Sequence, residues 1–279
     1  TKHARQVEQV LQKVFTTCKF YCWSDISVSR VLEYLNGLKN KGDISQRTFN
    51  FYLKTGKQFC KWMILDQRAA ESPLAHLKSE TVTKLMRKRR ALELEEIRLL
   101  LETTKEQPTR FGMSGYERSL LYKLAVETGL RAGELRSLTV SSFDFDSCTV
   151  TIEAAYAKNK KSCVLPLKPE TAIEVRTFTA GKLPTAGVFN IPEKTAKMLK
   201  ADLATAGIEY KDEGGRFADF HSLRHTAGTL LASSGVHPKV AQSIMRHSDI
   251  NLTMSLYTHT LRGQESEAIE NLPDLSLPS

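Results

Sequence analysis

No uninterrupted apolar run in this chain approaches the ~20 residues needed to cross a bilayer, and its opening residues lack the pattern of a secretory signal peptide. A membrane-spanning helix is therefore excluded. The first residue is Thr1 rather than Met, so a processed or trimmed chain with a missing upstream segment is expected. Cysteine is sparse, with five residues and no CxxC pair. Cys18 and Cys22 lie one helical turn apart, but no second pair follows to complete a zinc site. Small buried thiols in a reducing cytoplasm are the expectation. Internal repeats and low-complexity segments are absent, which excludes solenoid and fibrous architectures. Aspartates able to form a two-metal nuclease site cluster nowhere.

Two further absences concern charge. Between Ser45 and Leu65 there is no acidic residue, and after Arg262 there is no basic one. What remains is an ordinary globular composition, 41% hydrophobic and 25% charged, over 279 residues. That length suffices for two domains with real cores. The net charge of +9 is unevenly spread. Residues 1–90 carry 18 Lys and Arg against 7 Asp and Glu, residues 91–262 carry 22 against 20, and residues 263–279 carry none against 4. A cationic third on a near-neutral body points to a polyanion held mainly by that third.

Apolar spacing makes residues 1–80 helical. Val7, Val10, Leu11, Val14 and Phe15 recur at three and four, and a second helix is predicted from Ser27 to about Lys39. A third, from Ser45 to about Arg68, puts Phe49, Leu53, Cys60 and Met63 on one face. Arg47, Asn50, Lys54, Lys57 and Lys61 gather on another, an acid-free stripe suited to DNA phosphates. Residues 81–90 form a basic connector in which Arg87, Lys88, Arg89 and Arg90 could follow a phosphate backbone. From Ala91 the pattern alternates helices with two short strands, 148–153 and 163–167, around a Lys-rich turn at Lys158-Asn159-Lys160-Lys161. Helices are predicted at about 169–178 and 192–206. The fold class is mainly α with a small antiparallel β-sheet.

Three clusters can carry chemistry. In TGLRAGEL, Gly129 stops a helix and Arg131 projects from the turn, where a guanidinium can meet a phosphate bidentately and Glu134 can hold it. In HSLRH, His221, Arg224 and His225 share one helical face. Paired His at this spacing can bind zinc, but the HExxH glutamate and a third ligand are lacking. Third, a helix begun by Pro238 delivers His247 at its end, with Tyr257 about ten residues on. A tyrosine nucleophile, with a reference pKa of ~10, needs a base and cations nearby.

TGLRAGEL, the Lys turn before CVLPL, HSLRH, the RHSDI segment and LYTH occur in the order and approximate spacing of the tyrosine recombinases. The chain resembles these integrases of phages and mobile elements over nearly its whole length. The resemblance implies a helical core-binding domain at 1–80, a linker at 81–90, an α+β catalytic domain at 91–262, and a tail at 263–279 that docks on a neighbouring protomer. It implies that Tyr257 attacks a scissile phosphate to give a 3′-phosphotyrosyl link and a free 5′-hydroxyl. Arg131 and Arg224 match the phosphate clamps, and Lys158 the hairpin Lys that protonates the leaving group. His221 matches the general base, His247 a phosphate hydrogen-bond donor, and Glu134 a support behind them. One departure stands out: the family usually has Gly where this chain has Arg246, so a different local backbone and DNA contact are expected there.

The implied partners are double-stranded DNA bearing a core site, further copies of the chain in a tetramer, and accessory DNA-bending proteins, with no membrane. No cofactor is implied, because the covalent link conserves the phosphodiester energy and side chains supply the cations. The implied location is the bacterial cytoplasm, at the nucleoid. Two rivals predict different behaviour. A topoisomerase of the same chemistry would relax plasmid lacking any core site, and a helical DNA-binding regulator would bind without forming a covalent adduct.

Overall fold

The computed structural model describes residues 2–81, 88–156 and 161–260. The chain divides into two compact units, residues 1–86 and 87–279, each with its own apolar core. In the first unit, α1 (Lys2–Thr17), α2 (Val28–Asn40) and α3 (Gln46–Leu65) bury the expected stripe positions, among them Val10, Val14, Leu35, Phe49, Leu53 and Cys60. Ser45 starts α3 by accepting the Thr48 amide on its hydroxyl at 3.2 Å, which satisfies a donor that the helix end would leave open. The helix stops at Leu65, short of the expected Arg68, because Gln67 turns left-handed at φ 57°.

The chain then folds back along α3. Leu74 and Leu77 join the core, and Lys57 donates to the carbonyls of Ala75 at 3.0 Å and Leu77 at 2.5 Å. Asn50 exchanges two bonds with the Glu80 backbone, at 2.8 and 3.0 Å. Two of the five residues of the anticipated DNA-facing stripe, Asn50 and Lys57, thus bond back onto the chain. Lys57, expected on DNA phosphates, here gives its ammonium to these two backbone carbonyls. Arg47, Lys54 and Lys61 are exposed.

The second unit is organised by α5 (Gly115–Thr128), which packs on α4 (Leu94–Lys105). Ten of its 14 residues are buried, so it has almost no polar face. Its charge is internal. Fully buried Arg118 pairs with Asp202 at 2.9 and 3.2 Å and donates to the Met113 carbonyl at 2.8 Å, while the Tyr122 hydroxyl reaches the same carboxylate at 2.7 Å. Asp202 lies on α8 (Thr195–Thr205), which begins three residues after the predicted start at 192.

After α6 (Ala132–Ser137), β1 (Phe143–Asp144), β2 (Thr149–Ile152) and β3 (Cys163–Pro166) form one antiparallel sheet in that order. Val150 lies opposite both Phe143 and Leu165, so the inward side chains stack over the core. The two-residue β1 is the strand that periodicity does not announce. Next come α7 (Pro169–Phe178), α9 (Phe220–Ser233), α10 (Pro238–Met245) and α11 (Asn251–Thr260). Gly228 lets α11 lie close on α9, since a Cβ there would stand 2.5 Å from a Leu256 methyl. Among the described residues, no helix is long and apolar enough to cross a membrane.

Candidate active site

The turn between α5 and α6 is the floor of the site. Gly129 closes α5 in the left-handed conformation at φ 61°, and a Cβ on it would meet the Met245 sulfur at 2.9 Å. Only glycine accepts both constraints. Its carbonyl accepts from Arg224 Nη1, and the Met245 carbonyl at the end of α10 accepts from Arg224 Nη2. Arg224, on the buried face of α9, is thereby held across two elements.

Arg131 caps α6 beside this turn. Its guanidinium meets Glu134 Oε1 at 2.9 Å, and its amide donates to Glu134 Oε2 at 2.9 Å. Glu134 is only 2% exposed and receives a second guanidinium, that of Arg246, at 2.9 Å. Backbone hydrogen bonds, Arg246 and Arg131 hold its carboxyl below the usual range, outweighing its burial. Sequence reasoning marked Arg246 only as a departure. Its backbone is left-handed, φ 51° and ψ 44°, the conformation that glycine accepts most readily. Arginine therefore occupies a glycine-like turn.

Both histidines reach this cluster. Asp219 starts α9 by accepting the His221 amide at 3.0 Å. Although His221 is exposed, surrounding protein and the charges of Arg89, Arg224 and Arg131 lower its pKa to about 4. His247 follows the α10 turn. Its Nδ1 lies 3.0 Å from the buried Thr253 hydroxyl, and its carbonyl accepts from Gln242 at 3.1 Å. Burial, Arg224, Arg131 and Arg246 lower its pKa to about 4. Both rings are neutral near pH 7, able to accept a proton or donate a single hydrogen bond. Arg224 is itself brought down to about 9, by burial and by Arg131 and Arg246. Arg131 and Arg246 share the one carboxylate of Glu134, and Arg224 lies beside them with carbonyl partners alone, so the cluster holds more guanidinium than carboxylate.

Tyr257 occupies a different setting. Its ring packs with Ala232, Ala241, Val236 and Leu256, and its hydroxyl donates to the Val236 carbonyl. Burial raises its pKa, the opposite of what a phenolate nucleophile requires. Lys158, Lys160, Arg87 and the tail 263–279 lie outside the described residues.

The basic stretch that opens this unit divides into separate roles. Arg89 pairs with Asp219 at 2.8 and 3.0 Å beside His221. Arg90 is buried, gripping Glu96 at 2.7 and 2.9 Å and the Glu209 carbonyl at 2.7 Å. Arg90, expected as a DNA contact, thus has its Nη1 and Nη2 engaged within the fold. Lys88 is exposed, and its carbonyl accepts from Phe217 at 2.9 Å. Residues 88–90 are thus built into the second unit. Among the described residues, no three His, Cys, Asp or Glu side chains form a metal-ligand set. The His225 ring instead faces the Thr229 hydroxyl at 3.3 Å.

Residues 90–263 match the phage integrase family. The chain belongs to that family, the tyrosine recombinases. It is similar to the XerC-like tyrosine recombinase of Caldanaerobacter subterraneus subsp. tengcongensis, at 25% identity over 90% of this chain and 72% of that protein. A tyrosine recombinase of Pseudothermotoga lettingae is also 25% identical, over 89% of this chain and 83% of its own. The fold is that of a lambda integrase dimer bound to a COC′ core site, with a TM-score of 0.72 at 16% identity, covering all of this chain and 93% of the other. The Tn1549 transposon integrase, solved with transposon right end DNA, matches at the same TM-score over 96% of this chain and 94% of its own. The protein is a site-specific DNA recombinase of the tyrosine class.

Proposed function

We propose that the Arg131–Arg224–His221–His247 cluster binds the scissile phosphate of a DNA core site and that Tyr257 is the nucleophile. The Tyr257 oxygen bonds to phosphorus, the bond to the 5′-oxygen breaks, and a 3′-phosphotyrosyl link results. His221 takes the phenolic proton, and Lys158 gives one to the leaving 5′-oxygen. Arg131, Arg224 and His247 hold the phosphoryl oxygens as charge develops on them, the electrostatic effect that dominates such sites. A 5′-hydroxyl from the partner duplex then attacks the link and releases Tyr257. Two such exchanges proceed through a Holliday junction without ATP, because phosphodiester bonds are conserved.

In this reading the Tyr257 hydroxyl leaves the Val236 carbonyl when DNA binds. Residues 1–80 act as the core-binding domain, with Arg47, Lys54 and Lys61 on phosphates, and 91–262 as the catalytic domain. Lys88 and Arg89 flank the scissile position. Copies of the chain assemble as a tetramer on DNA, the tail 263–279 docks on a neighbour, and DNA-bending proteins assist. Its place of action is the bacterial chromosome.

The observation that carries the proposal is the excess of guanidinium over carboxylate at the α5–α6 turn, with two neutral imidazoles beside it. To test it, a core site is selected with this protein from a randomised duplex pool and rebuilt as a nicked suicide substrate. An SDS-stable adduct is expected from the native protein and none from Tyr257→Phe. No adduct from the native protein, or an adduct that survives Tyr257→Phe, would sink the assignment.

A further inference from the structure

Arg246 is held in a way that a solvated surface arginine is not. Its side chain is 7% exposed, its Nη2 meets Glu134 Oε2 at 2.9 Å, and its Nη1 donates to the Ile244 carbonyl at 3.2 Å. Its backbone sits in the left-handed region, which disfavours any residue with a Cβ. The sequence thus accepts local strain to keep a guanidinium at this turn. The neighbours on either side explain what that guanidinium could govern. Met245 supplies the carbonyl that orients Arg224, and His247 faces the same cluster.

Glu134 is the common partner. With Arg131 alone, its full negative charge would fall on the guanidinium that must also face the phosphate. With Arg246 on the other oxygen, the carboxylate is shared, and Arg131 retains more of its field for a bound anion. We propose that Arg246 is a positioning residue for phosphoryl transfer. It acts through Glu134, dividing that carboxylate's charge and pinning the turn that carries the Met245 carbonyl and His247. It does not touch the phosphate. The proposal rests on the reading of the Arg131–Arg224 cluster as the scissile-phosphate site.

The test uses the whole 279-residue chain and the duplex selected above. Arg246→Gly suits the left-handed turn, and Glu134 keeps the Arg131 amide and guanidinium as partners, so the protein should stay folded while the single-turnover adduct rate at saturating DNA, per folded molecule, falls roughly tenfold. DNA affinity should change little. Glu134→Gln and the double variant complete a cycle. If Arg246 works through Glu134, then Arg246→Gly costs less than twofold in the Glu134→Gln background, by the ordinary logic of non-additive neighbours. A native-like rate in Arg246→Gly, or an undiminished loss in the Glu134→Gln background, would overturn the inference, the second because it would indicate direct phosphate contact. Failure of the native protein itself to form adduct would count against the phosphate-site reading instead, so the two failures are separable.

Discussion

Arg118 and Arg224 are both buried arginines of the second unit, yet their charges are met in opposite ways. Arg118 has a carboxylate of its own, Asp202, and its remaining donors meet carbonyls. Arg224 has two carbonyls and no carboxylate, and lies beside Arg131 and Arg246, which share the single Glu134. The first arrangement is electrically closed and pins α5 to α8. The second is open, and burial together with the like charges of Arg131 and Arg246 lowers the Arg224 pKa to about 9. A fold that buries one closed pair and one open cluster stabilises itself with the former and stores attraction for an anion in the latter.

The largest expected effect breaks the open cluster. Arg224→Met should reduce the adduct rate by about a thousandfold, the upper range for loss of one preorganised donor. Stability should change little, because relief of like-charge crowding offsets two lost carbonyl bonds. Asp202→Ala should do the reverse. Leaving Arg118 charged and unpaired in the core should lower unfolding free energy by roughly 3–5 kcal/mol, read by denaturant titration, with no specific change in the rate per folded molecule. If Arg224→Met unfolds the protein while Asp202→Ala only slows chemistry, the contrast is inverted.

A second contrast is set by pH. His221 and His247 have folded pKa values lowered to about 4, below the reference 6.5. Between those values the unfolded chain binds more protons at these two sites than the folded one, so their contribution to stability should fall as pH drops from about 6.5 toward 4 and change no further below. Bound DNA should shrink that loss by raising both values. The double variant His221→Gln/His247→Gln should flatten the slope in the free protein, as followed by melting temperature against pH.

The smallest effects separate the basic residues of the first unit. Lys54→Ala should weaken DNA binding and reduce the salt slope by about 0.9. Lys57→Ala should loosen the 75–77 segment instead, with protein stability falling by about 1 kcal/mol for the lost hydrogen bonds. A salt slope altered equally by both would show that the inward bonding of Lys57 does not decide its role.

These contrasts also mark what a reading of the sequence reaches. The helices α1 to α3 are legible because each buries one face, so the apolar spacing survives in the letters. Near-total burial erases that spacing in α5, where only the end is marked in the letters, by Gly129; its start, where the Ser114 hydroxyl accepts the Glu117 amide at 3.0 Å, shows in the structure alone. Arg131, Arg224, His221, His247 and Tyr257 stand out through motif order. The groups that orient Arg224 are backbone carbonyls of Gly129 and Met245, which no residue type announces. Arg246 is visible as an unusual letter, but its bond to Glu134 spans 112 residues and exists only in three dimensions. The inward turn of Lys57 depends likewise on the chain returning along α3.

The central claim is that Tyr257, now tied to the Val236 carbonyl, becomes the nucleophile of the open cluster. Nuclease and protease digestion of the covalent adduct, followed by mass spectrometry of the linked peptide, tests it most directly. The account expects a nucleotide joined through its 3′-phosphate to the peptide containing Tyr257. Linkage to any other residue, or through a 5′-phosphate, would contradict it.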